Sequence, residues 1–391
     1  MGLSNQANIT INLTNVNEAP IIANQSFTVA ENSLNGTSVG SVVASDPDAG
    51  QILTYSILSG NTSSAFAINA TTGAITVANS TAINFETNPF FTLVIKVQDN
   101  GTGLLSSQAN ITITLTDVND SPIIANQFFT IAENSVNGTA VGTVVASDPD
   151  AGQILAYSIL SGNTSGAFAI NASTGAITVA NTTALNYEAT PSFALIVKVQ
   201  DNGTVSLSSQ ATITINLTNA NDAPVISNQS FLIAENSSNG TSVGTVIATD
   251  PDAGQTLTYS ILSGNTSTAF AINASTGALT VANTTALNFE TNPSFILVVK
   301  VQDNGTGTLS SQANVTITLT NANEAPIIAN QSFSVAENSA NGTSVGTVIA
   351  SDPDAGQTLA YSIQSGNTSG AFAINSSTGV ITVANAAVLN F

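Results

Sequence analysis

The carboxylates are the side chains of this 391-residue chain with the most chemistry to offer, and its 23 acidic residues fall into recurring motifs. Glu-Asn-Ser opens at Glu31, Glu133, Glu235 and Glu337. Asp-Pro-Asp opens at Asp46, Asp148, Asp250 and Asp352, and Gln-Asp-Asn places Asp99, Asp201 and Asp303. Each step, as from Glu31 to Glu133, is 102 residues, with no insertion or deletion. Carboxylates at fixed spacing suit either a hard cation with all-oxygen coordination or paired-acid glycoside hydrolysis. Hydrolysis fits poorly, because an enzyme rarely repeats its active site down an array. The chain has no Cys and no His, so thiolate chemistry, the usual general base and the usual transition-metal ligand are missing. The reading is therefore not an enzyme.

The only basic side chains are Lys96, Lys198 and Lys300, and the net charge is −20. Phosphate backbones need a basic footprint, which rules against nucleic acid as a partner. The three lysines sit in alternating strand patterns and read as outward charges that discourage sheet-edge pairing. Asn-x-Ser/Thr triplets such as those at Asn24, Asn35, Asn61 and Asn110 read as products of composition rather than glycan acceptors.

A period this long is a domain rather than a solenoid turn. Residues 1–18 match the last strand of a preceding unit. Complete units are 19–120, 121–222 and 223–324, and 325–391 is a truncated unit. That last unit stops at Phe391, where the others continue as Phe85-Glu86, Tyr187-Glu188 and Phe289-Glu290. Both ends read as cut from a longer array.

In the first unit the spacing predicts strands over 21–30, 37–44, 53–58, 65–68, 74–77, 91–97 and 110–115. Alternation such as Ile111-Thr112-Ile113-Thr114-Leu115 marks strands with one buried face. Seven strands in about a hundred residues is a sandwich pattern. The expected fold is all-β: tandem seven-stranded Greek-key β-sandwiches of immunoglobulin-like architecture, joined head to tail in a rod.

Strand direction then places the acids. Running the first and last strands down a unit delivers Glu31, Asn119 and Asp120 to its bottom, with Glu86. Strands running up deliver Asp46, Asp48 and Asp99 to its top. Stacked units bring together Glu31, Glu86, Asp120, Asp148, Asp150 and Asp201. Six like charges would splay such a joint. Three divalent cations would cancel them, and calcium, taking 6–8 oxygens in loose geometry, fits better than magnesium.

The order Ala30-Glu31-Asn32, Asn84-Phe85-Glu86, Asp99-Asn100-Gly101, Asp117-Val118-Asn119-Asp120-Ser121-Pro122 and Asp148-Pro149-Asp150 resembles the motif set of the cadherin repeat. The resemblance covers essentially the whole chain. It implies cadherin-like sandwiches with calcium at the junctions, stiffening an array for adhesion. It implies Glu31, Glu86, Asn119, Asp120, Asp148, Asp150 and Asp201 as the first ligand set. The second set is Glu133, Glu188, Asn221, Asp222, Asp250, Asp252 and Asp303. The third is Glu235, Glu290, Asn323, Glu324, Asp352 and Asp354. A leading junction keeps Asn17, Glu18, Asp46, Asp48 and Asp99. The sequence departs from the family at Asn84, Asn186 and Asn288, where Asp is usual. Ala220 and Ala322 replace Val118, Glu324 replaces Asp120, and the loop after Asp148 is short enough to cost a carbonyl ligand. Two ions per junction are expected rather than three. The compact Asp-Pro-Asp-Ala-Gly-Gln loop resembles that of prokaryotic surface proteins.

The implied function is calcium-dependent cell-surface adhesion or a surface-structural role, with a passive spacer or stalk as the alternative. Implied partners are calcium and the chain itself, another cell-surface protein or a glycan, outside the cell. No signal peptide and no apolar run of membrane-spanning length is visible in the sequence.

Overall fold

The computed structural model describes residues 1–390, and Phe391 lies outside the described residues. Two compact units divide the chain, Met1–Thr218 and the unit that begins at Asn219. In the first unit, the first repeat forms β1 (Ile21–Ile22), β2 (Gln25–Ala30), β3 (Ser38–Ser41), β4 (Ala44–Ser45), β5 (Thr54–Ser59), β6 (Phe66–Ile68), β7 (Ala74–Val77), β8 (Phe90–Gln98) and β9 (Ser106–Thr116). They build a four-stranded sheet in the order β2-β9-β8-β5 and a three-stranded sheet in the order β3-β7-β6, with β1 paired to β4.

The first two expected strands are each broken. Residues 21–30 change sheets between β1 and β2: β1 pairs antiparallel with β4, whereas β2 pairs parallel with β9. Polar side chains cover the backbone exposed at the crossing. Asn24 Oδ1 accepts from Asn110 N at 2.9 Å. Gln25 brackets Val43, donating to its carbonyl at 2.9 Å and accepting from its amide at 3.0 Å. Asn61 likewise spends both ends of its amide on the Phe66 backbone. These asparagines are structural parts, which is why the composition is rich in them.

Alternation along β8 and β9 buries Phe91, Leu93, Ile95, Val97, Ile111, Ile113 and Leu115 between the sheets. Phe66 meets Phe91 edge-on, with ring centroids 5.0 Å apart. Lys96 faces outward and donates to Gln98 Oε1 at 3.0 Å. It lies on β8, which is flanked by β9 and β5, so it guards no sheet edge, contrary to the sequence reading. The second repeat has the same sheets and a Phe168–Phe193 pair at 5.1 Å.

In the second unit, residues 225–320 repeat this sandwich, with a Phe270–Phe295 pair at 5.0 Å. Beyond it, Ile327–Ile328, Ser344–Thr347, Ala350–Ser351, Phe372–Ile374 and Val380–Val383 form strands. The segments equivalent to β2 and β5, at 331–336 and 360–365, are in no strand. In the complete repeats those strands pair with β9 and β8, whose counterparts do not occur before residue 390. Residues 1–18, matched in sequence to β9, form no strand, and Ile9, Ile11 and Leu13 are exposed.

Candidate metal centre

Because β2 and β9 run parallel, their ends bring Glu31 and the linker 117–120 to one pole of the first repeat. The β8 strand runs the other way and carries Asp99 to the opposite pole. Glu31 follows β2 directly, and Asn32 turns the chain with a left-handed φ of 55°. The Glu31 side chain is thereby folded inward, 2 % exposed. Its two oxygens accept from Phe85 N at 2.8 Å and Val118 N at 2.9 Å. Two backbone amides fix this carboxylate in place.

Oxygens of Glu31, Glu86 and Asp117 lie within 4.8 Å of one another. Asp117 is the residue that the sequence reading missed. The available signal was a break in the repeat, since the other linkers have Asn15, Asn219 and Asn321 there. Asn84, the departure from the family pattern, is used locally: it donates to Glu86 at 3.0 Å and accepts from Thr87 N at 2.8 Å.

The linker is tied to the next repeat by its backbone. Asp120 N donates to Asp150 Oδ2 at 2.7 Å, and Asp150 N donates to Asp148 Oδ1 at 3.0 Å. Asp120 Oδ1 accepts from Asn32 Nδ2 at 3.0 Å. The remaining oxygens, Asp148 Oδ2 and Asp150 Oδ1, are buried without a hydrogen-bond partner. Native proteins rarely leave buried carboxylate oxygens unpaired.

The electrostatics agree. Burial first, then the charges of Glu31, Asp120 and Asp150, push the Glu86 carboxyl above its ordinary range. Burial and then Asp150 raise Asp117, burial and then Glu31 raise Asp120, and burial raises Asp148. Asp201 goes the other way: against its burial, donors from Leu207 N, Asn119, Gly203 N and Ser206 hold it below the usual range.

The other sequence-derived residues follow the same pattern. Before the first repeat, Glu18 N donates to Asp48 Oδ2 at 2.7 Å, and Asn17 Nδ2 reaches Asp99 at 3.1 Å. Asp46 accepts from Asp48 N at 2.8 Å and keeps Oδ2 buried and unpaired. The charge of Asp48 raises Glu18. Of the second set, Glu133 lies in the first unit, 2 % exposed, and accepts from Tyr187 N at 2.6 Å. In the second unit, Asp222 N donates to Asp252 at 2.7 Å and Asn221 reaches Asp303 at 3.1 Å. Asp250 keeps Oδ2 buried and unpaired there.

The last junction, also within the second unit, brings Glu235, Glu290 and Glu324 within 4.8 Å. Glu235 accepts from Phe289 N at 2.7 Å and Ala322 N at 2.9 Å. Glu324 N donates to Asp354 Oδ2 at 2.8 Å, and Asp352 accepts from Asp354 N at 3.0 Å. Glu324 Oε2 and Asp354 Oδ1 are buried and unpaired.

The donors are all oxygen, partly backbone-fixed and unneutralised, which is the character of a calcium site. The family model described as "Cadherin domain" matches residues 25–116, 127–218, 229–320 and 331–389. The chain is 32 % identical over 392 residues to Protocadherin Fat 1 of Homo sapiens, covering 95 % of this chain and 8 % of that protein. It is 33 % identical over 404 residues to Protein dachsous of Drosophila melanogaster, covering 96 % of this chain and 11 % of that protein. It thus spans about a tenth of the length of these curated relatives. Among solved structures, a protocadherin gammaB7 EC3-6 cis-dimer matches with a TM-score of 0.63 and 27 % identity, over 94 % of this chain and 92 % of that one. Mouse cadherin-23 EC22-24 matches with a TM-score of 0.58 and 25 % identity, over 78 % of this chain and 100 % of that one.

Proposed function

This chain belongs to the cadherin family, and from that premise we propose that it is a calcium-rigidified segment of a cell-surface adhesion or surface-structural protein. Its repeats are taken as 19–120, 121–222 and 223–324, with 325–391 a partial fourth, and the unit of function is a pair of repeats sharing one junction. The observation that carries the proposal is the convergence of Glu31, Glu86 and Asp117 beside buried, unpaired oxygens of Asp148 and Asp150.

Glu31, Glu86, Asp117, Asp120, Asp148 and Asp150 would hold calcium at the first junction. Glu235, Glu290, Glu324, Asp352 and Asp354 would do so at the last. Asp46, Asp48, Glu133, Glu188, Asp222, Asp250 and Asp252 are the corresponding donors elsewhere. When bound, calcium cancels the charge that these residues concentrate and fixes the linker. An affinity of roughly 10⁻⁴–10⁻³ M, typical of extracellular modules, suits a location outside the cell. The partner is a second copy, another surface protein or a glycan. The cis-dimer description of the protocadherin gammaB7 neighbour supports testing self-association first.

The test uses the full chain on beads, with calcium or with chelator, beside thermal melts under both conditions. Clumping and a higher melting temperature in calcium are expected. A calcium-dependent melt without clumping would favour the spacer reading. An unchanged melt would overturn the calcium assignment.

A further inference from the structure

Beside the unpaired oxygens, at the same pole of the repeat that follows each linker, a second network recurs. Gln153 Nε2 donates to Asn119 Oδ1 at 2.7 Å, and Asn119 Nδ2 donates to Asp201 Oδ2 at 3.0 Å. Gln51, Asn17 and Asp99 repeat it at 2.8 and 3.1 Å. In the second unit Gln255, Asn221 and Asp303 repeat it, again at 2.8 and 3.1 Å. Gln357 meets Asn323 at 3.0 Å, and there the Asn323 amide turns to the Glu324 carbonyl instead.

The orientation of the amide is fixed by its surroundings. Asn119 Nδ2 faces two acceptors, Asp201 Oδ2 and the Val205 carbonyl at 3.1 Å. Asn17 Nδ2 faces Asp99 and the Thr102 carbonyl at 3.2 Å. Only a donor sits between two acceptors without repulsion. Asp201 is itself saturated: Gly203 N and Leu207 N donate to it at 3.1 and 2.9 Å, and it is buried. Gly203 leaves the space required, because a Cβ there would run into Asn119 Oδ1; Gly101 and Gly305 do the same for Asn17 and Asn221. Where the sequence reading expects the short loop to cost an ion its carbonyl ligand, the loop supplies the Gln153 amide.

We propose that Gln153, Asn119 and Asp201 form a metal-independent clasp that fastens the linker to the repeat after it and stands in the place of a third ion. Asn119 and Asp201 are then positioning residues for the linker rather than calcium ligands. The ion count rests on the calcium reading given above, whereas the clasp does not.

The experiment uses the full chain and its Gln153→Leu and Asn119→Ala variants. Hydrogen exchange of the segment 117–122 is followed in chelator, and bound calcium is counted by equilibrium dialysis with calcium alone. In chelator Asn119→Ala, which loses a charge-assisted hydrogen bond, should exchange there about tenfold faster than the parent, and Gln153→Leu, which loses a neutral one, roughly fivefold faster. Their calcium count should equal the parent's. Loss of one ion in either variant, or linker exchange identical to the parent in chelator, would overturn the clasp. A parent that binds no calcium, with the exchange difference intact, would sink the calcium reading and support the clasp.

Discussion

Asp117→Asn is the substitution that separates the electrostatics of the first junction from its folding, because the chain already places Asn219 and Asn321 at the equivalent positions. Asp117 lies within 4.8 Å of both Glu31 and Glu86, measured between ligand oxygens. At that separation two like charges repel by roughly 0.9 kcal/mol in water-like surroundings. Removing Asp117 deletes two such pairs, and salt screening trims the gain to about 1 kcal/mol. In chelator the variant should therefore melt higher, by about 4–8 °C for a domain of this size. In calcium the sign reverses, since a charged ligand is lost, and affinity at that junction should fall by roughly an order of magnitude. Calorimetry in chelator and isothermal titration of the full chain read the two effects. A lower melting temperature in chelator, or an unchanged calcium affinity, would refute the reasoning.

The pH response follows from Glu86, Asp117, Asp120 and Asp148, all raised by burial and mutual charge. Raised carboxyls bind protons more tightly when folded, so their stabilisation is present in acid and lost as pH rises through the folded values. Melts in chelator should accordingly rise from pH 7 to about 5, and melts in calcium should fall as protons displace the ion. Asn32→Ala, at a φ of 55° and a donor to Asp120, should cost about 1–2 kcal/mol in denaturant titration, and Asn32→Gly less. Phe91→Ala removes the partner of Phe66 from the core and should cost about 3–5 kcal/mol by the same titration. Hydrogen exchange should find residues 331–336 and 360–365 less protected than Gln25–Ala30 and Thr54–Ser59, whose ladders are complete.

The period and the alternation made the sandwiches legible, because a residue such as Ile113 can be buried on only one face of its strand. Strand direction then carried the acids to the correct poles before any coordinates. Two features were not legible in that way. The break between β1 and β2 depends on Asn24 and Gln25 reaching backbone on other strands, and nothing local to 21–30 announces it. Asp117 lay in plain sight, yet its role depends on Glu86 arriving from a turn 31 residues earlier in the chain. Asn119 shows a third limit. Its type fits a calcium ligand and a hydrogen-bond donor equally, and the acceptors that meet its Nδ2, Asp201 Oδ2 and the Val205 carbonyl, come from far along the chain.

The linker docks chiefly on the repeat that follows it. Glu18 N and Asn17 hold Asp48 and Asp99 with no structured repeat before them among the described residues, with the same bonds as at Asp120 and Asn119. The half of the proposed calcium site that belongs to the following repeat therefore forms without the upstream acids. The two junctions that lie whole within one unit differ in how strongly they call for it. The first concentrates Glu31, Glu86, Asp117, Asp120, Asp148 and Asp150, whereas the last has Asn321 in place of the third and the longer Glu324 in place of the fourth. More fixed charge means more repulsion without the ion and more attraction with it. The junctions should then fill in sequence as calcium rises, so that the array stiffens by stages, and Asn321→Asp should move the last junction toward the first.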